Sequence, residues 1–269
     1  EWFEETLKEL EKVDGKLKFH IKLETGMNRI GTSEEKELIE IHNLFYSEKM
    51  EFEGIFSHYS NADGEDNEYD DYQTANFNRL VELFKFKPKY IHIDNSAGVI
   101  KYSDRDDICN LSRIGIALYG CYPSSNIEKL NKLSLEPVVS LVSKVTHVKK
   151  ILKGTKVGYG ISYEALEDEY IATIPIGYAD GLLRRAQGFK VKVGSEECEI
   201  VGRVCMDQLM VRCSENTKVG DDVVFFGEYN DQKVSIDDFA AYQNTISYEV
   251  FCCINKRVPR KYYINNMEL

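Results

Sequence analysis

The sequence predicts an α/β chain in which part of a (β/α)8, TIM-like barrel over residues 1–134 is followed by a β-rich domain over residues 135–269. Three observations carry this expectation. Up to about residue 120, short apolar runs alternate with longer stretches of helical period, the pattern of βα units and a parallel sheet. Beyond about residue 135 the texture changes to period-two alternation, which belongs to half-buried strands. The length of 269 residues, 43% of them hydrophobic, suffices for one large domain or two ordinary ones with real cores.

The elements follow in order. Trp2, Phe3, Leu7, Leu10 and Val13 share one face of an opening amphipathic helix that lacks the apolar run of a targeting peptide. Leu17 to Leu23, Phe52 to Ser57, Tyr90 to Asp94 and Leu111 to Tyr119 read as barrel strands. Between them lie helices, one opened by a capping box of Thr32 and Glu35, another carrying Phe77, Leu80, Leu83 and Phe84 on one face. Four βα units make half of an eight-unit barrel, so the other half is expected upstream of Glu1. In the second domain, strands are expected at Val138 to Val148, Ile171 to Ile176, Phe189 to Val193, Ile200 to Val211 and Asp222 to Phe226.

Charge and composition narrow the function. A net charge of −11 argues against nucleic acid or an anionic membrane as the main partner. No stretch approaches the ~20 apolar residues that span a bilayer. The seven cysteines are odd in number and form no C-x-x-C pair, which suits a reducing cytoplasm, and each reads as a small buried or half-buried hydrophobe. No metal site is expected, and a small-molecule ligand fits best.

In barrels the site is built at the C-terminal ends of the strands, and the unusual residues collect there. The first strand runs into Glu24-Thr25-Gly26-Met27-Asn28-Arg29, the second into His58, the third into Asn95-Ser96-Ala97-Gly98, and the fourth contains Arg113-Ile114-Gly115-Ile116. Asn95 and Ser96 at a helix start suit an ordinary N-cap or a phosphate. Arg113 inside an apolar stretch must have a partner, because a guanidinium effectively never loses its proton; a core salt bridge and a ligand contact both satisfy that. His58 and His92 suit structural hydrogen bonding or catalysis. The second domain adds Gly158-Tyr159-Gly160, Gly177-Tyr178-Ala179-Asp180-Gly181 and Cys205-Met206-Asp207-Gln208, followed by Thr245-Ile246-Ser247-Tyr248-Glu249. Glycines beside a tyrosine let backbone approach a ligand, although turn chemistry alone also explains them.

Taken in order, Leu23-Glu24-Thr25-Gly26-Met27-Asn28-Arg29-Ile30-Gly31, Asn95-Ser96-Ala97, Arg113 to Gly120, Gly177 to Gly181, Cys205 to Gln208 and Arg257-Val258-Pro259-Arg260 resemble the motifs of the alanine racemases, from about Lys16 to the C-terminus. The resemblance implies a pyridoxal-phosphate enzyme of barrel plus β domain, a cytoplasmic homodimer whose sites are completed by the partner's second domain, interconverting L- and D-alanine to supply D-alanine for peptidoglycan. It further implies that Ser96, Gly115, Ile116 and Tyr248 cradle the cofactor phosphate, that Arg113 partners the pyridine nitrogen with His92 behind it, and that Asn95 supports the cradle. An arginine there hydrogen-bonds the ring without protonating it, which makes the cofactor a weaker electron sink and discourages side reactions. Tyr159 resembles the base for the L face, opposite a cofactor-binding lysine on the D face. A free phenol is a weak base at neutral pH, so positive charge must favour its ionised form, and His58 with Arg113 are the family's candidates for that. Arg29 and the Met206 backbone resemble the substrate-carboxylate site, Tyr178 and Asp207 its entry, and Lys22 the position carboxylated in several members to hold the arginine.

Glu24, Asn28, Ile114 and Gly158 depart from the family's usual aspartate, glycine, proline and serine without removing a reacting group. No lysine here sits in the alanine–lysine–alanine and tyrosine–glycine context of the cofactor-binding lysine, which the family carries on its first barrel strand. The expectation is therefore a chain lacking that N-terminal segment. The rivals are a serine or broad-specificity racemase of the same fold, against which Tyr248 weighs slightly, and a non-catalytic fragment or cofactor-storage protein.

Overall fold

The computed structural model describes residues 2–44, 49–85, 88–106, 108–264 and 267–268. The chain divides into two compact units, Glu1–Glu136 and Pro137–Leu269.

The first unit opens with helix α1 (Trp2–Leu10) and then alternates strand and helix: β1 (Leu17–Lys22), α2 (Glu35–Leu44), β2 (Met50–Phe56), α3 (Glu68–Val81), β3 (Tyr90–His92) and α4 (Ser96–Lys101), with α5 (Ser125–Lys129) after a short 3-10 turn at Ile116–Tyr119. The strands form a parallel sheet in the order β1-β2-β3, with Lys22, Phe56 and His92 in one row across it. Neighbouring parallel strands joined through helices are the barrel pattern. Leu23, Ile55, Leu80, Ile91 and Ile93 from the strands and helices pack into one core with Phe77 of α3. Each such side chain stabilises the unit by about 1.5–3 kcal/mol on burial.

Two expectations for this unit fail. The expected fourth strand, Leu111 to Tyr119, is not a strand. Its backbone meets β3 and its extension through Asn110 N to Ile91 O and Arg113 N to Asp94 O, and Gly115 then bends it into the 3-10 turn. Nor does the Thr32–Glu35 capping box form: Thr32 Oγ1 accepts from Glu34 N at 3.1 Å, while Glu35 Oε1 pairs with Arg79 at 2.7 Å.

The second unit contains β4 (Leu141–Lys144), β5 (His147–Ile151), β6 (Lys156–Val157), β7 (Tyr163–Glu164), β8 (Glu169–Ile174), β9 (Lys190–Val193), β10 (Glu196–Val201), β11 (Leu209–Cys213), β12 (Asp222–Tyr229), β13 (Gln232–Val234), and helices α6 (Ile236–Tyr242) and α7 (Ser247–Cys253). Its main sheet runs β13-β12-β9-β10-β11-β8-β5, with β4 also pairing antiparallel with β12. The apolar run Val138 to Val148 is two strands rather than one, because it leaves β12 for β8 at residues 145–146. Ile200 to Val211 is likewise two antiparallel strands, β10 and β11, and the loop between them carries Cys205 to Gln208. All seven cysteines are free thiols, and Cys252 is exposed against the expectation of burial. Among the described residues no helix is long and apolar enough to cross a membrane.

Candidate active site

The ends of β2 and β3 in the first unit converge on one guanidinium. Arg113 Nη1 donates to His92 Nδ1, and Nη2 reaches Ser57 O at 2.7 Å, His58 Nδ1 at 3.0 Å and Ile93 O at 3.1 Å. Arg113 Nε makes no hydrogen bond among the described residues. A guanidinium can only donate, so both histidines accept at Nδ1 and carry their hydrogen on Nε2. The 3.5 Å approach of Asn95 Nδ2 to His58 Nε2 is then a contact of two donors rather than a hydrogen bond. Burial, reinforced by the Arg113 charge, pushes both imidazolium pKa values down to about 4, so both rings are neutral at neutral pH. Burial also draws Arg113 below the usual guanidinium range, which Asp94 opposes.

Beside this cluster α4 begins. Its N-cap Asn95 accepts from Gly98 N at 3.0 Å. The buried Ser96 Oγ accepts from Gly115 N at 2.8 Å and from Ala117 N at 3.5 Å. Among the described residues its own hydroxyl proton has no acceptor and stays available to donate. A Cβ on Gly115 would stand in open space with only Ser96 Oγ nearby, at 3.8 Å. Ile116 is buried immediately after.

At the end of β1 the Lys22 ammonium is buried, donating to Leu23 O at 2.7 Å and approaching Ser57 Oγ at 3.4 Å. Burial lowers its pKa, against the pull of Glu24. Arg29 is exposed, yet close enough for its charge to depress both Lys22 and His58. Ser57, whose carbonyl takes Arg113, and the fully buried Gln73, which bonds His58 O at 3.0 Å and Ser60 N at 2.8 Å, both escaped the sequence reading. A polar residue at the last position of an apolar strand was the available signal for Ser57. None marked Gln73.

The second unit builds its own cluster from two loops. Tyr178 N donates to Cys205 O and Ala179 N to Met206 O, each at 3.0 Å. A Cβ on Gly177 would overlap those same two carbonyls, which is why the loops can meet only through glycine. Asp180 Oδ2 accepts from Gly177 N at 2.8 Å, and its Oδ1 takes Arg257 Nε at 2.6 Å. Burial would raise the Asp180 pKa, but Arg257 and the Gly177 N–H outweigh it and hold the carboxyl below its ordinary range. Arg257 Nη2 also pairs with Asp207, so Tyr178, Met206 and Asp207 are brought together and Arg257 is the residue that braces them. Its role was not legible in the sequence. Tyr159 stands 71% exposed in a turn where Gly158 and Gly160 both have positive φ, and the Arg203 guanidinium packs against Gly160. Tyr248 lies in the first turn of α7, exposed, beside the buried Ser247.

Comparison with known proteins bears on both units. The family profile "Alanine racemase, N-terminal domain" matches residues 1–123 and "Alanine racemase, C-terminal domain" matches residues 138–262. The alanine racemase of Lactobacillus gasseri is 43% identical over 267 residues, 98% of this chain and 70% of that protein. That of Geobacillus kaustophilus is 43% identical over 253 residues, 92% of this chain and 64% of that protein. Among solved structures, alanine racemase from Bacillus anthracis with bound L-Ala-P superposes with a TM-score of 0.92 at 37% identity, covering all of this chain and 70% of that one. A histidine racemase from Leuconostoc mesenteroides gives 0.82 at 28% identity, with 94% and 69% covered. With both family domains matched in order and relatives this similar along nearly the whole length, the chain belongs to the alanine racemase family, enzymes of the isomerase class built from a barrel and a mainly β domain.

Proposed function

We propose that this chain carries the greater part of a pyridoxal-phosphate-dependent racemase that interconverts L- and D-alanine in the cytoplasm, supplying D-alanine for peptidoglycan. The observation that carries the reading is the Arg113 guanidinium, with both Nη groups held by protein and Nε–H free among the described residues. That donor suits a pyridine nitrogen. The open space over Gly115, next to the unspent Ser96 proton, suits a phosphate. When bound, the cofactor supplies an electron sink that acidifies the Cα–H of an amino acid.

The chain's own groups then divide the work. Ser96, Gly115, Ile116 and Tyr248 hold the phosphate, and Arg113 donates to the ring nitrogen without protonating it. Asn95 and His92 keep those groups in place. Tyr159 removes or returns the proton on the L face, with the Arg113 charge, relayed through the neutral His58, favouring its phenolate. Arg29 and the Met206 N–H bind the substrate carboxylate, and Tyr178 with Asp207 line the entry. Lys22, whose amine burial keeps closer to neutrality, suits carboxylation and a bridge to Arg29. The exposed position of Tyr159 suits a homodimer in which it serves the cofactor of the partner subunit.

Chiral analysis tests the reading. The complete protein with pyridoxal phosphate is expected to convert either alanine enantiomer to an equal mixture, with serine a poor substrate. Absence of solvent deuterium at Cα of alanine would refute it. Residues 1–269 alone, treated with pyridoxal phosphate and borohydride, are expected to give no adduct at a unique lysine. One specifically labelled lysine in this span, with racemase activity, would show that the chain carries its own cofactor anchor.

A further inference from the structure

Behind His92 the hydrogen bonds continue, and the Arg113 guanidinium fixes their direction. Because His92 Nδ1 accepts from Arg113, the one hydrogen of its neutral ring is on Nε2. That atom lies 2.8 Å from His20 Nδ1, which must therefore accept. The opposite polarity would need His92 to accept at both nitrogens, as an imidazolate. His20, proton-free at Nδ1, is then neutral with its hydrogen on Nε2, and Nε2 faces Glu53 Oε2 at 3.6 Å. The other Glu53 oxygen takes Lys18 Nζ at 2.8 Å.

The backbone is built around this run. His20 stands opposite Gly54 in the β1–β2 register, and a Cβ on Gly54 would overlap the His20 imidazole. The missing side chain lets His20 lie across β2 and stack on Tyr90 of β3, with centroids 6.0 Å apart. His92 stacks on Phe56, with centroids 5.3 Å apart and planes 8° from parallel. The path runs from the exposed Lys18 through half-buried Glu53 and His20 to the buried His92.

We propose that His20 and Glu53 are positioning residues for Arg113, the outer end of a one-way relay in which the Glu53 carboxylate, acting through two neutral imidazoles, makes His92 Nδ1 a stronger acceptor and pins the guanidinium. The proposal rests on Arg113 as the partner of the cofactor ring. It assigns His20 a tautomer that no contact with a ligand would require.

The test begins without cofactor or substrate. In the chain labelled with 15N-histidine, long-range proton–nitrogen correlation near neutral pH is expected to find His20 and His92 both protonated at Nε2 only. His20→Gln keeps an oxygen for His92 and an N–H for Glu53, so it is expected to preserve the His92 pattern. His20→Leu should let the His92 Nδ1–H form appear, and Glu53→Gln should move the nitrogen shifts of both rings. In the complete protein, His20→Leu and Glu53→Gln are expected to lower kcat roughly tenfold, as loss of an outer partner of a functional histidine does. KM for alanine should stay unchanged and His20→Gln should restore kcat. A proton on Nδ1 of either wild-type ring, a doubly protonated His20, or unmoved His92 shifts in Glu53→Gln would overturn the relay. Should His20→Leu fail to fold, Glu53→Gln, an isosteric change at the outer end of the run, decides alone. If Arg113→Lys abolishes activity while Glu53→Gln leaves kcat intact, only this proposal falls; if neither changes kcat, the reading of Arg113 falls as well.

Discussion

At a single residue, chemistry that sequence can only suggest becomes directional. Arg113 inside an apolar run implied a partner; the structure supplies four acceptors and, with them, the protonation pattern of two histidines. Replacing Arg113 with lysine keeps the charge but removes the planar fork, and kcat of the complete enzyme is expected to fall on the order of 10²-fold, the cost of losing one preorganised donor; chiral chromatography reads it. The histidines also tie stability to pH. A ring whose folded pKa is depressed to about 4 stabilises the fold fully above the unfolded value of 6.5, and that contribution is lost as pH falls between the two. Urea midpoints should therefore drop from pH 7 to 4.5, with the buried His92 accounting for about 1–3 kcal/mol. A His92→Gln variant should show a flatter slope over the same range, and an unchanged slope would mean the ring is not held neutral.

For strands, helices and loops, the deciding features are close approaches and caps. Gly177 has an ordinary extended backbone, so its need for glycine is purely steric: any Cβ meets the carbonyls of Cys205 and Met206. Gly177→Ala is expected to destabilise the second unit by about 1–3 kcal/mol, the usual cost of overpacking. Gly154→Ala, at a site with nothing nearby but a positive φ, separates that cost from backbone strain in the same urea titration. Asn95→Ala removes the α4 cap bond to Gly98 N and should cost about 1 kcal/mol. Short apolar runs located β1, β2 and β3 because each run carries residues that are buried in the fold. It mistook Leu111 to Tyr119 for a strand because an apolar segment lying along β3 looks the same in sequence whether or not its backbone pairs.

At the scale of the assembled enzyme, the proposal of shared sites has a quantitative consequence. In the complete protein, Tyr159→Phe removes the L-face base and Arg113→Leu removes the ring-nitrogen partner, so each homodimer should be nearly inactive. If Tyr159 serves the partner's cofactor, a mixed dimer holds both defects in one site and leaves the other intact. With random pairing about half the dimers are mixed and each has one working site of two, so activity should return to roughly a quarter of wild type for independent sites. Verified mixed dimers with no recovery would place Tyr159 within its own subunit or outside the chemistry.

The sequence by itself determined the α/β-then-β architecture, the family, and the order of the polar clusters at strand ends, because period, length and motif order are properties of the chain read along its own direction. It also brought His58, His92, Asn95, Ser96 and Arg113 forward as one set. Only tertiary structure decided that Arg113 donates to Nδ1 of both histidines and to the Ser57 and Ile93 carbonyls, that His20 stands behind His92 because Gly54 leaves it room, that Arg257 braces Asp180 and Asp207, and that Gln73 ties His58 to the loop at Ser60. These depend on which atoms meet between residues 13 to 77 positions apart in sequence. A hydrogen bond's direction is set by the donors and acceptors that surround it, and the linear order of residues does not contain that arrangement.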